Sequence, residues 1–321
     1  MPRAYPAGAA FCERIRGAGD WMAGLDLFRR PCEASGSYCG CLADGRAKLM
    51  ADYFKDKVAV VTGAGSGIGA SIARLLAEKG ARVHCADLDG GAAGEVASGL
   101  DRGMAHACDV TDAEAMQALA DTVFAADGRV DLLFNNAGIA TAGRIGDTTL
   151  ADWRKVIDVN VMGVVNGLHA FLPRMREQGS GHIANTASAA GLVAVPRLGA
   201  YCATKHAVVG LSQSLASEVR DDGLYVTILC PGIINTPIVK RAVARGDAEQ
   251  GVAHAADYYA RKGASPDKVA ADLLSDMRRK KLFCVTPRTE VGAAWLSQRL
   301  SPRLAALITG SGSRALMKIR K

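Results

Sequence analysis

The chain has 321 residues, 49% hydrophobic, 22% charged and 5% aromatic, with 36 glycines, which excludes wholesale disorder and limits the domain count to one or two. The net charge is +7, yet residues 55–239 carry −4, while residues 240–321 hold 17 Lys/Arg against 7 Asp/Glu. No uncharged apolar run approaches the ~18–20 residues of a membrane span.

Residues 1–49 have no sustained period and precede a natural opening at Met50, and 1–54 is expected to be an N-terminal extension, disordered or from a non-native start. Glu13, Arg14, Arg16, Asp20 and Asp26 stand where a signal peptide would be apolar. Nine scattered cysteines fit a reducing, cytoplasmic setting better than a disulfide framework.

Strand and helix patterns then alternate. Lys57–Thr62 is a continuous apolar strand ending at a glycine cluster. Gly67–Lys79 places Ile68, Ile72, Leu75 and Leu76 on one helix face. Strands follow at Arg82–Asp87 and Met104–Val110, a helix at Ala113–Ala126 and a strand at Val130–Asn135. Asp152–Gln178 reads as one long helix, Gly181–Ser188 as a strand, Tyr201–Arg220 as a helix and Leu224–Cys230 as a strand. A helix over Ser265–Lys280, with Pro266 in its first turn, leads to a last strand at Leu282–Thr286. Strands apolar on both faces, alternating with helices, imply an α/β protein with one doubly wound parallel sheet (the Rossmann fold) and helices on both faces. The domain is expected over 55–287, with a substrate loop at about 233–262 and a basic C-terminal extension over 288–321.

Thr62-Gly63-Ala64-Gly65-Ser66-Gly67-Ile68-Gly69 lies between a strand and a helix. Glycines there allow a tight turn and close approach of a pyrophosphate, and the helix N-terminus at Ser66, Gly67 and Ile68 offers N–H donors. Asp87 ends the second strand about twenty residues on. Its carboxylate can accept both hydroxyls of an adenosine ribose and would repel a 2′-phosphate, which favours NAD over NADP. Asp109 and Val110 end the third strand within reach of an adenine. Asn136, Ala137 and Gly138 follow the fourth, and their small side chains leave room for the cofactor.

Tyr201 and Lys205 stand at i and i+4 on one helix face. A phenol of pKa about 10 is protonated at neutral pH, and a neighbouring cation stabilises the phenolate. Bringing it close to neutrality takes roughly 4 kcal/mol, after which Tyr201 could act as general base or acid. Ser188, at a strand's C-terminal end, points into the crevice where such sheets bind ligands.

Together these motifs resemble the short-chain dehydrogenase/reductase family across residues 55–287, in its non-extended type. The resemblance rests on TGAGSGIG at 62–69, NNAG at 135–138, Asn160 in VNVMG, Ser188, YCATK at 201–205 and PGIINT at 231–236. It implies that Tyr201 is the acid/base, that Lys205 lowers its pKa and contacts the nicotinamide ribose, and that Ser188 positions the substrate. Asn160 would support a water-linked proton relay. Pro231 and Gly232 would lie at the cofactor, and Thr236 near the nicotinamide carboxamide. Homodimers or homotetramers through the helices at 152–178 and 201–220 are implied too.

The expected activity is hydride transfer between NAD(H) and a secondary alcohol or ketone. Leu192–Val195, flanking the pocket mouth, hints at an apolar one. The alternatives are an NADPH-dependent ketoacyl-type or carbonyl reductase, and a non-catalytic NAD-binding sensor. Six dispersed histidines (84, 106, 169, 182, 206 and 254) show no ligand spacing, so no metal is expected. Cys202 reads as a small buried filler. In the tail, Trp295, Leu296, Leu300, Leu304, Leu307 and Ile308 form an apolar face beside Arg299 and Arg303. The main reading is a helix capping its own domain or a sister subunit, the lesser one peripheral docking on anionic membrane. Nucleic acid is not an expected partner, because nothing beyond charge supports it.

Overall fold

Seven parallel strands, apolar on both faces, form the centre of the molecule. The computed structural model describes residues 53–303, 305–307 and 309, so expectations for 1–52 and the last residues lie outside the described residues. In chain order the sheet strands are β1 (Val58–Thr62), β2 (Arg82–Asp87), β3 (Gly103–Ala107), β4 (Leu132–Asn135), β6 (Gly181–Thr186), β7 (Leu224–Pro231) and β9 (Phe283–Thr286). They pair in the order β3-β2-β1-β4-β6-β7-β9. A two-residue parallel pair, β5 (Thr141–Ala142) with β8 (Val243–Ala244), lies apart from the sheet. The order reverses between β1 and β4, and the crevice at such a switch point is where open α/β sheets bind ligands.

Helices cover both faces. On one, α1 (Gly67–Glu78), α2 (Gly90–Ser98) and α8 (Pro266–Arg278) bury Ile72, Leu76, Val96, Val269 and Leu273 in one core with residues of β1, β2, β7 and β9. On the other, α3 (Ala113–Asp127), α5 (Gly163–Gln178) and α6 (Gly199–Glu218) bury Met116, Val123, Phe171, Met175 and Leu215. Phe54, inside the expected extension, is 2% exposed within the first of these cores. The packed domain therefore includes it.

The expected long helix at 152–178 is divided. A capping box between Thr149 and Asp152 starts α4 (Leu150–Ile157), a π turn follows at Asp158–Met162, and α5 continues from Gly163. By length and composition Leu150–Gln178 could cross a membrane. In this fold Val156, Val164, Ala170, Phe171 and Met175 are instead buried against the protein core.

Helix α2 had no counterpart in the expected elements. Its Gly-rich sequence has weak helix propensity, but Asp89 caps it by accepting the Ala92 N–H at 3.0 Å. The segment expected as a substrate loop holds β8 and α7 (Asp247–Lys262). The first turn of α7 is fastened at Asp247, which accepts from Arg197 at 2.9 Å and Arg144 at 3.0 Å. The expected extension begins with α9 (Arg288–Leu300), whose Val291 is 4% exposed and whose Trp295 ring lies 5.0 Å from that of Phe283. Through these residues α9 packs on its own sheet.

Candidate active site

The turn from β1 to α1 depends on glycine at specific points. Gly63 and Gly67 have φ of +65° and +56°, a region that favours glycine. A Cβ on Gly69 would lie 2.1 Å from the Gly63 carbonyl oxygen, so no larger residue fits there. Ser66 caps α1 in an extended conformation with no side-chain hydrogen bond. The first-turn N–H groups at Gly67, Ile68 and Gly69 thus keep the anion-binding character of a helix N-terminus. Thr236 borders the same turn, since a Cβ on Gly67 would come within 3.2 Å of its Cγ2.

Asp87 stands at the end of β2 beside this turn. Its Oδ2 accepts the Gly65 N–H at 2.8 Å and its Oδ1 the Asp89 N–H at 3.0 Å. Asp109 and Val110 lie beyond the third strand rather than on it. β3 stops at Ala107, and Asp109 turns back on its own loop, accepting from the Thr111 N–H at 2.9 Å and the Thr111 hydroxyl at 2.8 Å. Val110 packs toward Gly163, and its carbonyl accepts from Asn166 Nδ2 at 2.9 Å.

Beyond β4, Thr62 organises the next segment. Its Oγ1 accepts the N–H groups of Asn136 at 2.9 Å and Ala137 at 3.1 Å, and Asn136 Nδ2 donates to the Thr62 carbonyl at 3.0 Å. A Cβ on Gly63 would sit 2.8 Å from Ala137 Cα, so the glycine turn and the Asn136-Ala137-Gly138 segment are in close contact. Thr62, quoted with the glycine run but given no role, is the residue that joins them.

Gly138 separates two polar groups, because a Cβ there would lie 3.1 Å from Asn160 Oδ1 and 3.3 Å from Lys205 Nζ. Asn160, fully buried in the π turn, accepts the Ile139 N–H at 2.9 Å and donates to the Ile139 carbonyl at 2.9 Å and Thr204 Oγ1 at 3.1 Å. Both Nδ2 hydrogens are therefore engaged with protein groups, and the side chain positions the Ile139 segment against α6.

Lys205 is 2% exposed and donates to the Thr186 carbonyl at 2.9 Å, with its Nζ 5.7 Å from the centroid of the Tyr201 ring. Burial lowers its pKa to about 8. Ser188 lies two residues beyond the end of β6 rather than on the strand, since β6–β7 pairing stops at Thr186. Its Oγ accepts the Ala190 N–H at 3.1 Å and donates to the Pro231 carbonyl at 3.4 Å.

Tyr201 stands one turn before Lys205 in α6. Burial raises its pKa above the ordinary 10, Tyr259 of α7 and Cys202 push the same way, and only the hydrogen bond with Ser188 opposes them. Desolvation in the crevice is the largest of these influences. Tyr259 lies in the segment expected as a loop, so its proximity to Tyr201 depends on α7 and had no local sequence signal.

Four further residues take packing roles. Gly232 donates to the Thr286 carbonyl at 2.8 Å, and a Cβ on it would meet Val291 at 2.7 Å. Leu192 and Val193 are buried with residues of α6, β7 and α9, while Ala194 is exposed and Val195 half-buried. Cys202 Sγ accepts the Val195 N–H at 3.4 Å, which anchors the segment before α6.

A family model described as short chain dehydrogenase matches residues 57–247. The probable oxidoreductase EphD of Mycobacterium tuberculosis is 38% identical over 261 residues, covering 75% of this chain. The chain spans 44% of that relative's length. A D-threitol dehydrogenase of Mycolicibacterium smegmatis is 42% identical over 222 residues, covering 67% of this chain and 83% of that protein. A crystal structure of a short-chain dehydrogenase/reductase from Burkholderia phymatum in complex with NAD aligns with a TM-score of 0.71 at 33% identity, over 78% of this chain and 95% of that one.

Proposed function

This chain belongs to the short-chain dehydrogenase/reductase family of oxidoreductases, and on that premise we propose that it transfers a hydride between NAD(H) and a secondary alcohol or its ketone. The observation that carries this reading is the convergence of Ser188, Tyr201 and Lys205 beside a glycine turn that admits no larger side chain at Gly69.

The residues present fit a dinucleotide. The N–H groups at the start of α1 would bind the pyrophosphate and Asp87 the adenosine ribose hydroxyls. Asn136, Ala137 and Gly138 would pass beneath the nicotinamide half, with Thr236 across the turn. NAD bound there would supply the hydride acceptor, or as NADH the donor.

The Ser188 hydroxyl donates to the substrate oxygen and holds it against Tyr201. The Tyr201 phenolate takes the hydroxyl proton as the alcohol becomes a carbonyl, and the phenol returns it in the reverse direction. Lys205 has the Thr186 carbonyl as its protein acceptor. Its remaining N–H donors would hold ribose hydroxyls, while its charge would favour the phenolate over the phenol. Asn160 keeps Ile139 and Thr204 in place, and Thr204 in turn donates to the Tyr201 carbonyl at 2.8 Å, fixing the helix turn that presents the phenol.

Asp87 supports NAD over NADP, because its carboxylate would repel a 2′-phosphate. Half-exposed Ile157, Met162 and Val165 lie along α4, the π turn and α5, a stripe suited to pairing with a second copy of the chain. Turnover assays of polyols and cyclic secondary alcohols with NAD test the activity. NAD reduction with any of them supports the reading, and no turnover with either nucleotide counts against it.

A further inference from the structure

A basic surface and an apolar one meet at the end of the sheet away from the active site. Arg278-Arg279-Lys280-Lys281 forms the turn from α8 into β9, whose C-terminal end rises toward the site. Helix α9 returns antiparallel to β9. Val291 lies against Gly232, and one turn later Trp295 packs on Phe283, the first residue of β9. The turns of α9 beyond Trp295 therefore run on toward the basic turn.

Those turns carry Leu296, Arg299 and Leu300, followed by Arg303 and Leu307. Val291 and Trp295 hold α9 on the sheet, and the leucines face outward. Leu296 is 55% exposed, Leu300 77% and Leu307 71%. Large apolar side chains grouped on a surface mark an interaction site more often than scattered ones do.

The charges around them are mostly of one sign. Among the described residues from 278 to 309 there are seven Lys/Arg and a single acidic residue, Glu290. The buried Asp276 pairs with Lys281 at 3.1 Å and Arg288 at 2.9 Å. The turn before β7 holds Arg220, Asp221 and Asp222, and Asp222 is already paired with Arg176. Lys280 rests on the Tyr225 ring and Arg299 on Trp295, with their charged groups 4.0 and 5.3 Å from the ring centroids.

We propose that this end of the molecule docks on an anionic lipid surface. The leucines enter the headgroup boundary while the arginines and lysines neutralise lipid phosphates and carboxylates. Nucleic acid would reward the cations and leave the leucines without a partner. A second copy of the same surface would meet it with like charge. Docked this way, the crevice at the C-terminal ends of the strands faces the solvent.

Vesicle flotation of the full chain tests the proposal, comparing neutral phosphatidylcholine vesicles with vesicles holding about 30 mol % phosphatidylserine. The expected result is binding to the anionic vesicles alone, weakened about tenfold or more by Leu296→Gln with Leu300→Gln and, separately, by Arg279→Gln with Arg303→Gln. Unchanged thermal midpoints and unchanged turnover show that both variants still fold. Three results would overturn it: no flotation of the parent chain, undiminished binding by the leucine variant, or leucine substitutions that only dissociate a self-associated form.

Discussion

The Gly65 amide donates to Asp87 Oδ2 at 2.8 Å although the two residues are 22 apart in sequence. This bond joins the glycine turn to the residue proposed to choose between cofactors. Replacing Asp87 with Ser removes the carboxylate that would repel a 2′-phosphate. NADH binding should weaken about tenfold and the preference for NADH over NADPH should collapse or invert. Fluorescence titration with both nucleotides measures it, and a parent chain that binds NADPH more tightly would refute the assignment.

Gly69 gives a second test. Its substitution by Ala places a methyl 2.1 Å from the Gly63 carbonyl oxygen, so the turn must open. Nucleotide affinity is expected to fall at least tenfold, whereas Gly94→Ala, where a Cβ meets nothing within 4 Å, should leave it unchanged and raise stability by a few tenths to about 1 kcal/mol. Equal nucleotide affinity in the two variants would place the pyrophosphate elsewhere.

Lys205 predicts a trade between function and stability. Its folded pKa of about 8 lies below the ordinary 10.5, so the folded state binds fewer protons than the unfolded chain between those values. Stability owed to this group therefore rises as pH climbs from about 8 toward 10.5, and at neutral pH the buried cation is a penalty. Lys205→Met should abolish turnover and stabilise the fold by on the order of 2 kcal/mol at pH 7, with the gain shrinking toward pH 10. Denaturant melts at the two pH values check the sign.

The alternation of strands and helices could be read from the sequence because each element carries its own period, and the glycine turn because its spacing is local. What escaped depended on partners distant in the chain. Asp109 was placed on a strand that ends at Ala107, since its hydrogen bonds to Thr111 stop the ladder. Helix α2 forms from a sequence of weak propensity because Ala93, Val96 and Ala97 are buried. His84 and His106, read as dispersed, meet at 2.9 Å because β2 and β3 pair in parallel, and His84 also reaches Asp127 at 2.7 Å. The sequence placed Tyr201 and Lys205 on one helix face. It could not foresee that burial would raise the phenol's pKa.

Phe54 tests where the packed domain begins. It is 2% exposed and packs with Val83, Leu273 and their neighbours in one core. Phe54→Ala should cost about 3–5 kcal/mol of unfolding free energy, read from a chemical denaturation midpoint. A cost below about 1 kcal/mol would mean the residue lies outside the cooperative unit.

The central claim is that the Tyr201 phenol exchanges a proton with the substrate oxygen while Ser188 holds that oxygen in place. Tyr201→Phe keeps the ring and its packing and removes only the hydroxyl, so nucleotide affinity and the thermal midpoint should change little. Turnover of the best alcohol with NAD, measured at saturating nucleotide, should fall by about 10²–10⁴-fold, the range assigned to general acid–base catalysis. Turnover surviving unchanged in Tyr201→Phe would contradict the mechanism.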